Sequence, residues 1–192
     1  MALKQSTMLP LGTSLPAFDL PDVRTGESVD AGSCAGEGAT LIMFICCHCP
    51  YVIHVQEELS QLGKDYLGRG VGIVAISSND VEKYPQDRPV RLKEMAEKLG
   101  FGFPYCFDET QEVAKVFTAA CTPDFFLFDR DRKLVYRGQL DDSRPGNGKP
   151  VTGKDLRGAL EALLAGQEMP ERQTPSAGCN IKWRPGNEPA YA

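Results

Sequence analysis

The stretch 40–50, TLIMFICCHCP, limits the fold more than any other part of this 192-residue chain. Residues 40–46 are apolar on both alternating sets, as a central strand buried on two faces must be. Directly afterwards the period changes. Val52, Val55, Leu59 and Leu62 recur at helical spacing, with Gln56, Glu57, Glu58 and Lys64 between them. Pro50 suits the first helical position, where a missing N–H costs nothing, and Gly63 or Gly68 marks the end. A buried strand therefore feeds a helix, and Cys49 lies at the join.

The remaining segments extend that unit into a mixed sheet. Residues 17–20 and 27–30 flank a turn at Arg24-Thr25-Gly26, which predicts an N-terminal β-hairpin. Residues 71–76 read as a second buried strand, followed by a polar loop over 77–87 and an amphipathic helix over 90–99. Then come a strand (103–107), a helix (110–117), and strands 124–129 and 133–138 joined at Asp131-Arg132. A last helix spans 152–164, with Thr152 as the expected cap. Alternating strands and helices give parallel strands with crossover helices, and the late hairpin adds antiparallel ones. The expected architecture is one α/β domain over residues 1–166, with an extended, ordered or partly ordered C-terminal tail over 167–192 that packs on or near the domain and has no core of its own.

Composition narrows the function. A net charge of −5 without any basic block argues against a nucleic-acid surface. No apolar run approaches membrane-spanning length, and the first ten residues lack the apolar core of a secretory signal, so a cytoplasmic location without membrane association is expected. Seven cysteines in such a setting favour catalytic, redox-sensing or metal-binding roles over a disulfide framework.

Among them Cys49 stands out. A helix start presents unpaired backbone N–H groups and the positive end of the dipole, and both favour a thiolate over a thiol. The thiolate is the nucleophile, so this location makes Cys49 the candidate reactive residue. His54, about one turn further along the helix, is placed to relay a proton or simply to face solvent. Gly148 to Asp155 nearly spells a phosphate-binding loop, but Asp155 replaces the hydroxyl residue such a loop needs, and no buried strand precedes it.

The stretches FICCHCPYV (44–52), CTPD (121–124), YRGQLDD (136–142) and GCNIKW (178–183) together resemble the thioredoxin-like, peroxiredoxin-like branch of the alkyl hydroperoxide reductase/thiol-specific antioxidant family. The resemblance implies a thioredoxin-like three-layer sandwich with a mixed central sheet, in which Thr122-Pro123 is a cis peptide facing Cys49. It also implies an antioxidant thiol–disulfide oxidoreductase with no bound organic cofactor. Its substrate would be a disulfide or peroxide, in a protein or a small molecule, and a thiol would donate electrons. His48, Pro50, Tyr51, Thr122, Pro123, Arg144 and Cys179 would line the site, and a homodimer is left open.

The departures from that family are specific. A thioredoxin dithiol counted from Cys49 needs a second cysteine at position 52, which is Val52; the preceding Trp is His48 and the buried strand acid is Met43. The peroxiredoxin Pro and Thr positions carry Ile42 and Cys46. Cys49 then needs another resolving partner. The candidates are Cys46, Cys121, Cys179 or an external thiol, with Cys47 expected to point away by strand alternation. Two rival readings remain at this level: a zinc or copper site drawn from Cys46, His48, Cys49 and Cys121, and a non-catalytic, redox-sensing domain.

Overall fold

A computed structural model describes residues 3–170 and 172–192. Its central sheet has five strands in the order β6-β5-β4-β8-β9: β4 (Ala39–Phe44), β5 (Val71–Ser77), β6 (Tyr105–Phe107), β8 (Asp124–Asp129) and β9 (Leu134–Gly138). Strand β4 is fully buried and central, parallel to β5 and antiparallel to β8. It stops at Phe44, two residues earlier than the apolar run predicts. Ile45 still donates its N–H to Ile76 O, but Cys46 and Cys47 have left the ladder and turn toward helix α1 (Pro50–Tyr66).

The two faces of the sheet are covered by different elements. Leu41 and Met43 of β4 pack with buried residues of α1, α2 (Pro89–Leu99) and α4 (Lys154–Leu164). Ile42 and Phe44 face the other way. They pack with Val113 and Ala114 of α3 (Glu112–Val116), with Phe117, and with Phe18 and Leu20 of the N-terminal hairpin. That hairpin joins β2 (Asp19–Pro21) to β3 (Ser28–Asp30), close to where the turn residues place it. The result is the mixed-sheet α/β domain that the alternation of elements predicts, in the three layers that the family resemblance implies.

One expectation is corrected. Thr152 does not cap α4. The helix starts from Gly153 with φ +64°, and Asp141 closes it by accepting from the backbone N–H groups of Thr152 and Gly153 at 2.6 and 2.7 Å. Thr152 lies one residue before the N-cap and its hydroxyl accepts from Lys154 N at 3.3 Å, while the Asp141 carboxylate takes the two preceding N–H groups at once and carries the charge the dipole favours. The tail contributes a strand to the fold. Residues Ala177–Asn180 form β10, paired antiparallel between β1 (Leu3–Gln5) and the short β7 (Cys121–Thr122). Ile181 joins the core at 1% exposure. No local periodicity announces β1 or β10, because each is defined by a partner far away in sequence.

Candidate active site

The end of β4, the start of α1, β7 and β10 meet at one place, and each brings a cysteine. Cys49 is the N-cap of α1 with extended backbone (φ −72°, ψ 122°) and Pro50 in the first turn. No side chain caps the helix, so the open backbone end faces the Cys49 sulfur. Thr122-Pro123 is cis. The Thr122 carbonyl lies 3.1 Å from Cys49 Sγ, and Thr122 Oγ1 lies 3.5 Å from Cys46 Sγ. Cys179, opposite Thr122 in the β10–β7 register, reaches the same sulfur.

The electrostatics separate the thiols. Cys49 is held well below the ordinary thiol range, first by the hydrogen bond from the Cys46 thiol and then by those from Cys179, Thr122 and the Val52 backbone, against the cost of burial. The Thr122 carbonyl works the other way, since it accepts only from the protonated thiol. The thiol donors and the helix start outweigh one carbonyl dipole. Cys46, Cys121 and Cys179 are all raised, each chiefly by burial. One stabilised thiolate among neutral thiols is the arrangement that thiol–disulfide exchange uses.

The other anticipated residues fall into two groups. Cys121 is buried beside the cluster, but its thiol is directed at Pro123 O, 3.7 Å away. Cys47 does point away: its thiol meets Arg91 O at 3.4 Å, and burial pushes it up to about 12. His54 is spent on Ser143 Oγ at 2.7 Å. Arg144 is bound to Gln139 Oε1, Asp141 O and Ser143 O, which ties up the loop that follows β9. Tyr51, His54, Pro123 and Arg144 line a cavity of about 20 Å³, room for little more than one water.

His48 has a partner that sequence reasoning missed. Its Nδ1 lies 2.5 Å from Oδ2 of Asp87, and its ring stacks on Tyr84 with centroids 5.4 Å apart. Asp87 sits in the polar loop after β5, inside the short turn Pro85–Asp87. The prolines at 85 and 89 that frame it were the available signal for a fixed conformation.

Cys46, His48 and Asp87 each offer a ligand atom within 4.8 Å of the others, so a metal would have to use this trio, with Asp87 in place of Cys49 and Cys121. The carboxylate is poorly suited to it. Both oxygens already accept hydrogen bonds, from Cys47 N, His48 N, His48 Nδ1 and Asn79 Nδ2. The set fits a closed hydrogen-bond network better than a metal centre.

Comparison with known proteins bears on the fold and the family. The sequence profile described as the AhpC/TSA family matches residues 11–137. No curated protein matches the chain. Among solved structures, an uncharacterized conserved protein from Geobacillus kaustophilus is similar at 57% identity and TM-score 0.95, over 97% of this chain and 98% of that one. A hypothetical protein from Sinorhizobium meliloti is similar at 47% identity and TM-score 0.92, over 95% and 99%. A thiol:disulfide interchange protein of the thioredoxin family from Chlorobium tepidum shares the fold at 18% identity and TM-score 0.62, over 80% and 97%.

Proposed function

The chain belongs to the AhpC/TSA family, and from that premise we propose that it is a thiol–disulfide oxidoreductase in which Cys49 attacks and Cys46 resolves. The observation that carries this reading is the convergence of Cys46 and Cys49 on Thr122 beside the cis-proline, with Cys49 alone among the clustered thiols shifted toward the thiolate. The Cys49 thiolate attacks a disulfide and forms a mixed disulfide, releasing the first thiolate. Cys46 then attacks the Cys49 sulfur, the second thiolate leaves, and the enzyme is left as the Cys46–Cys49 disulfide. An external thiol restores the dithiol.

Cys46 is favoured over Cys121 and Cys179 as the resolving residue for physical reasons. It is in direct hydrogen-bond contact with Cys49 and belongs to the same turn, so closing the bridge moves few atoms. Cys121 would first have to turn from Pro123 O. Cys179 is carried by a strand whose pairing with β1 and β7 would be strained by the bridge. The positions from which the family orients a peroxide are altered: position 46 is cysteine in place of threonine, and Arg144 is committed to its own loop. A disulfide is therefore the preferred substrate class, in a protein or a small molecule, with a thiol as electron donor. Among the described residues no helix is long and apolar enough to cross a membrane.

The test is peptide-mapping mass spectrometry after limiting glutathione disulfide. Wild type should yield the Cys46–Cys49 bridge, and Cys46→Ser should accumulate a glutathione adduct on Cys49. If Cys49→Ser gives the same oxidation products as wild type, the proposal fails.

A further inference from the structure

Resolution by Cys46 poses a chemical problem that the thiols do not solve themselves. A buried thiol beside a carboxylate holds its proton tightly, and burial and Asp87 still act on Cys46 in that direction once the Cys49 sulfur is tied up in the mixed disulfide. Only the thiolate attacks a disulfide sulfur at a useful rate. Something within reach has to take the proton.

His48 is built for it. Asp87 is fully buried and anchored by the N–H groups of Cys47 and His48 at 2.8 and 3.2 Å and by Asn79 Nδ2 at 2.7 Å. Its remaining acceptor capacity is aimed at His48 Nδ1, 2.5 Å away. With the Nδ1 proton shared with a carboxylate, the neutral ring carries its lone pair on Nε2. That Nε2 is shielded from solvent and has no hydrogen-bond partner among the described residues. A buried ring nitrogen without a partner is an unmet need that a structural histidine does not have. Stacking on Tyr84 holds the ring plane, and Lys182 Nζ lies 5.7 Å from the Tyr84 ring. Cys47, which flanks His48, turns its thiol to Arg91 O and leaves Cys46 as the thiol facing the dyad. A His48 ring nitrogen and an Asp87 oxygen lie within 4.8 Å of Cys46 Sγ, a gap that one water or a small ring movement closes.

We propose that His48, positioned by Asp87, is the general base for the resolving step, taking the thiol proton of Cys46 as Cys46 attacks the mixed disulfide on Cys49. The inference rests on the Cys49–Cys46 reading above. The S–H bond of Cys46 breaks, its proton goes to Nε2, and its electron pair forms the Cys46–Cys49 bond. The bond between Cys49 and the substrate sulfur breaks in the same step. Its electron pair leaves with that sulfur, which then takes the proton from the imidazolium. Asp87 stabilises the imidazolium while it exists. Both Asp87 oxygens already accept from four donors, which leaves His48 Nε2 as the open acceptor of the pair. Asp124, the other buried carboxyl near the cluster, acts on Cys121 instead.

The experiment follows the lifetime of the glutathione adduct on Cys49 after mixing with glutathione disulfide, by acid quench and peptide mapping. Two substitutions separate chemistry from structure. His48→Asn keeps a donor near the Nδ1 position for Asp87 but removes the second nitrogen, and His48→Ala opens room for added imidazole. General-base loss predicts an adduct that persists at least about tenfold longer in both variants, with free imidazole shortening it in His48→Ala. An adduct resolved at the wild-type rate in His48→Asn overturns the proposal, and so does a slowed His48→Ala that imidazole does not accelerate. Cys46→Ser is run alongside. If it forms no adduct on Cys49, the Cys49 assignment itself fails, a result distinct from normal adduct formation followed by unaffected resolution.

Discussion

Gly178 and Thr122 lie so close across the β10–β7 pair that a β-carbon on Gly178 would sit 2.0 Å from the Thr122 carbonyl oxygen. That oxygen is the one facing Cys49 Sγ. The tail strand is thus pressed onto the cis-proline segment at the one position where only glycine fits, and Cys179 follows directly against the reactive sulfur.

Gly178→Ala should therefore lift the tail from β7. The clash is with backbone, which has no rotamer to yield, so a loss of about 1–3 kcal/mol in unfolding free energy is expected. Cys49 should alkylate faster in the variant than in wild type. Equal denaturant midpoints and equal alkylation rates would show that the two strands are not held as described.

The alkylation of Cys49 should also have its own pH profile. An ordinary thiol loses its reactivity as pH falls through about 8.5; Cys49, lowered first by the Cys46 thiol, should keep its reactivity well below that. Cys47, pushed up to about 12, should contribute no thiolate over the same range. Cys46→Ala removes the largest lowering influence and should move the Cys49 midpoint up. Iodoacetamide kinetics with peptide-level readout checks both statements, and a midpoint that does not move would remove Cys46 from the account.

Asp124 gives a stability signature. Its carboxyl is fully buried, and burial pushes it up to about 7 against the weaker lowering effect of Ser6, Ser176 and the Ala120 and Phe125 backbone. The folded protein then holds a proton that the unfolded chain releases near pH 4, so stability should fall as pH rises from about 4 to about 7. The upper bound is about 4 kcal/mol across that window. Asp124→Asn should lack this component and gain on wild type between pH 5 and pH 8 in urea unfolding. A constant difference between the two proteins would contradict it.

Asp141 should be among the costliest polar residues to remove. It accepts from Ser143 N at 2.8 Å as well as from Thr152 and Gly153, so one carboxylate fixes both the Arg144 loop and the start of α4. Asp141→Ala leaves buried N–H groups without acceptors and should cost about 2–4 kcal/mol in thermal or chemical unfolding. A loss under about 0.5 kcal/mol would mean that water replaces the carboxylate easily.

How far the sequence could be read follows from what kind of signal each residue carries. The position of Cys49 at the helix start was legible because the change of period around Pro50 is local, whereas the larger influence on its thiol, the Cys46 hydrogen bond, needs the folded turn. Cys46 was legible as its neighbour through spacing alone. Asp87 was not, because it is one acid in a polar loop, and its role depends on a chain reversal that brings it beneath residues 47 and 48. Thr152 misled for the complementary reason: it has the right side chain, but the helix starts one residue later at Gly153, and Asp141 holds the N–H groups of Thr152 and Gly153 from a distant loop. The tail looked coreless since its glycines, prolines and polar residues carry no period. Its order comes from β1 and β7, partners that only the folded chain supplies.

The burial of the thiols turns their chemistry into a gated process. Cys49, Cys46 and Cys179 are 0%, 1% and 3% exposed, so no reagent larger than a water meets them in the closed form. Reaction waits for excursions in which the covering strand lets go. At low reagent concentration the observed rate is the opening equilibrium multiplied by the intrinsic reactivity of the thiolate. At high concentration every opening is captured, and the rate levels off at the frequency of opening itself. That plateau would be independent of the reagent's identity, and would make the fold, and not the sulfur, the clock.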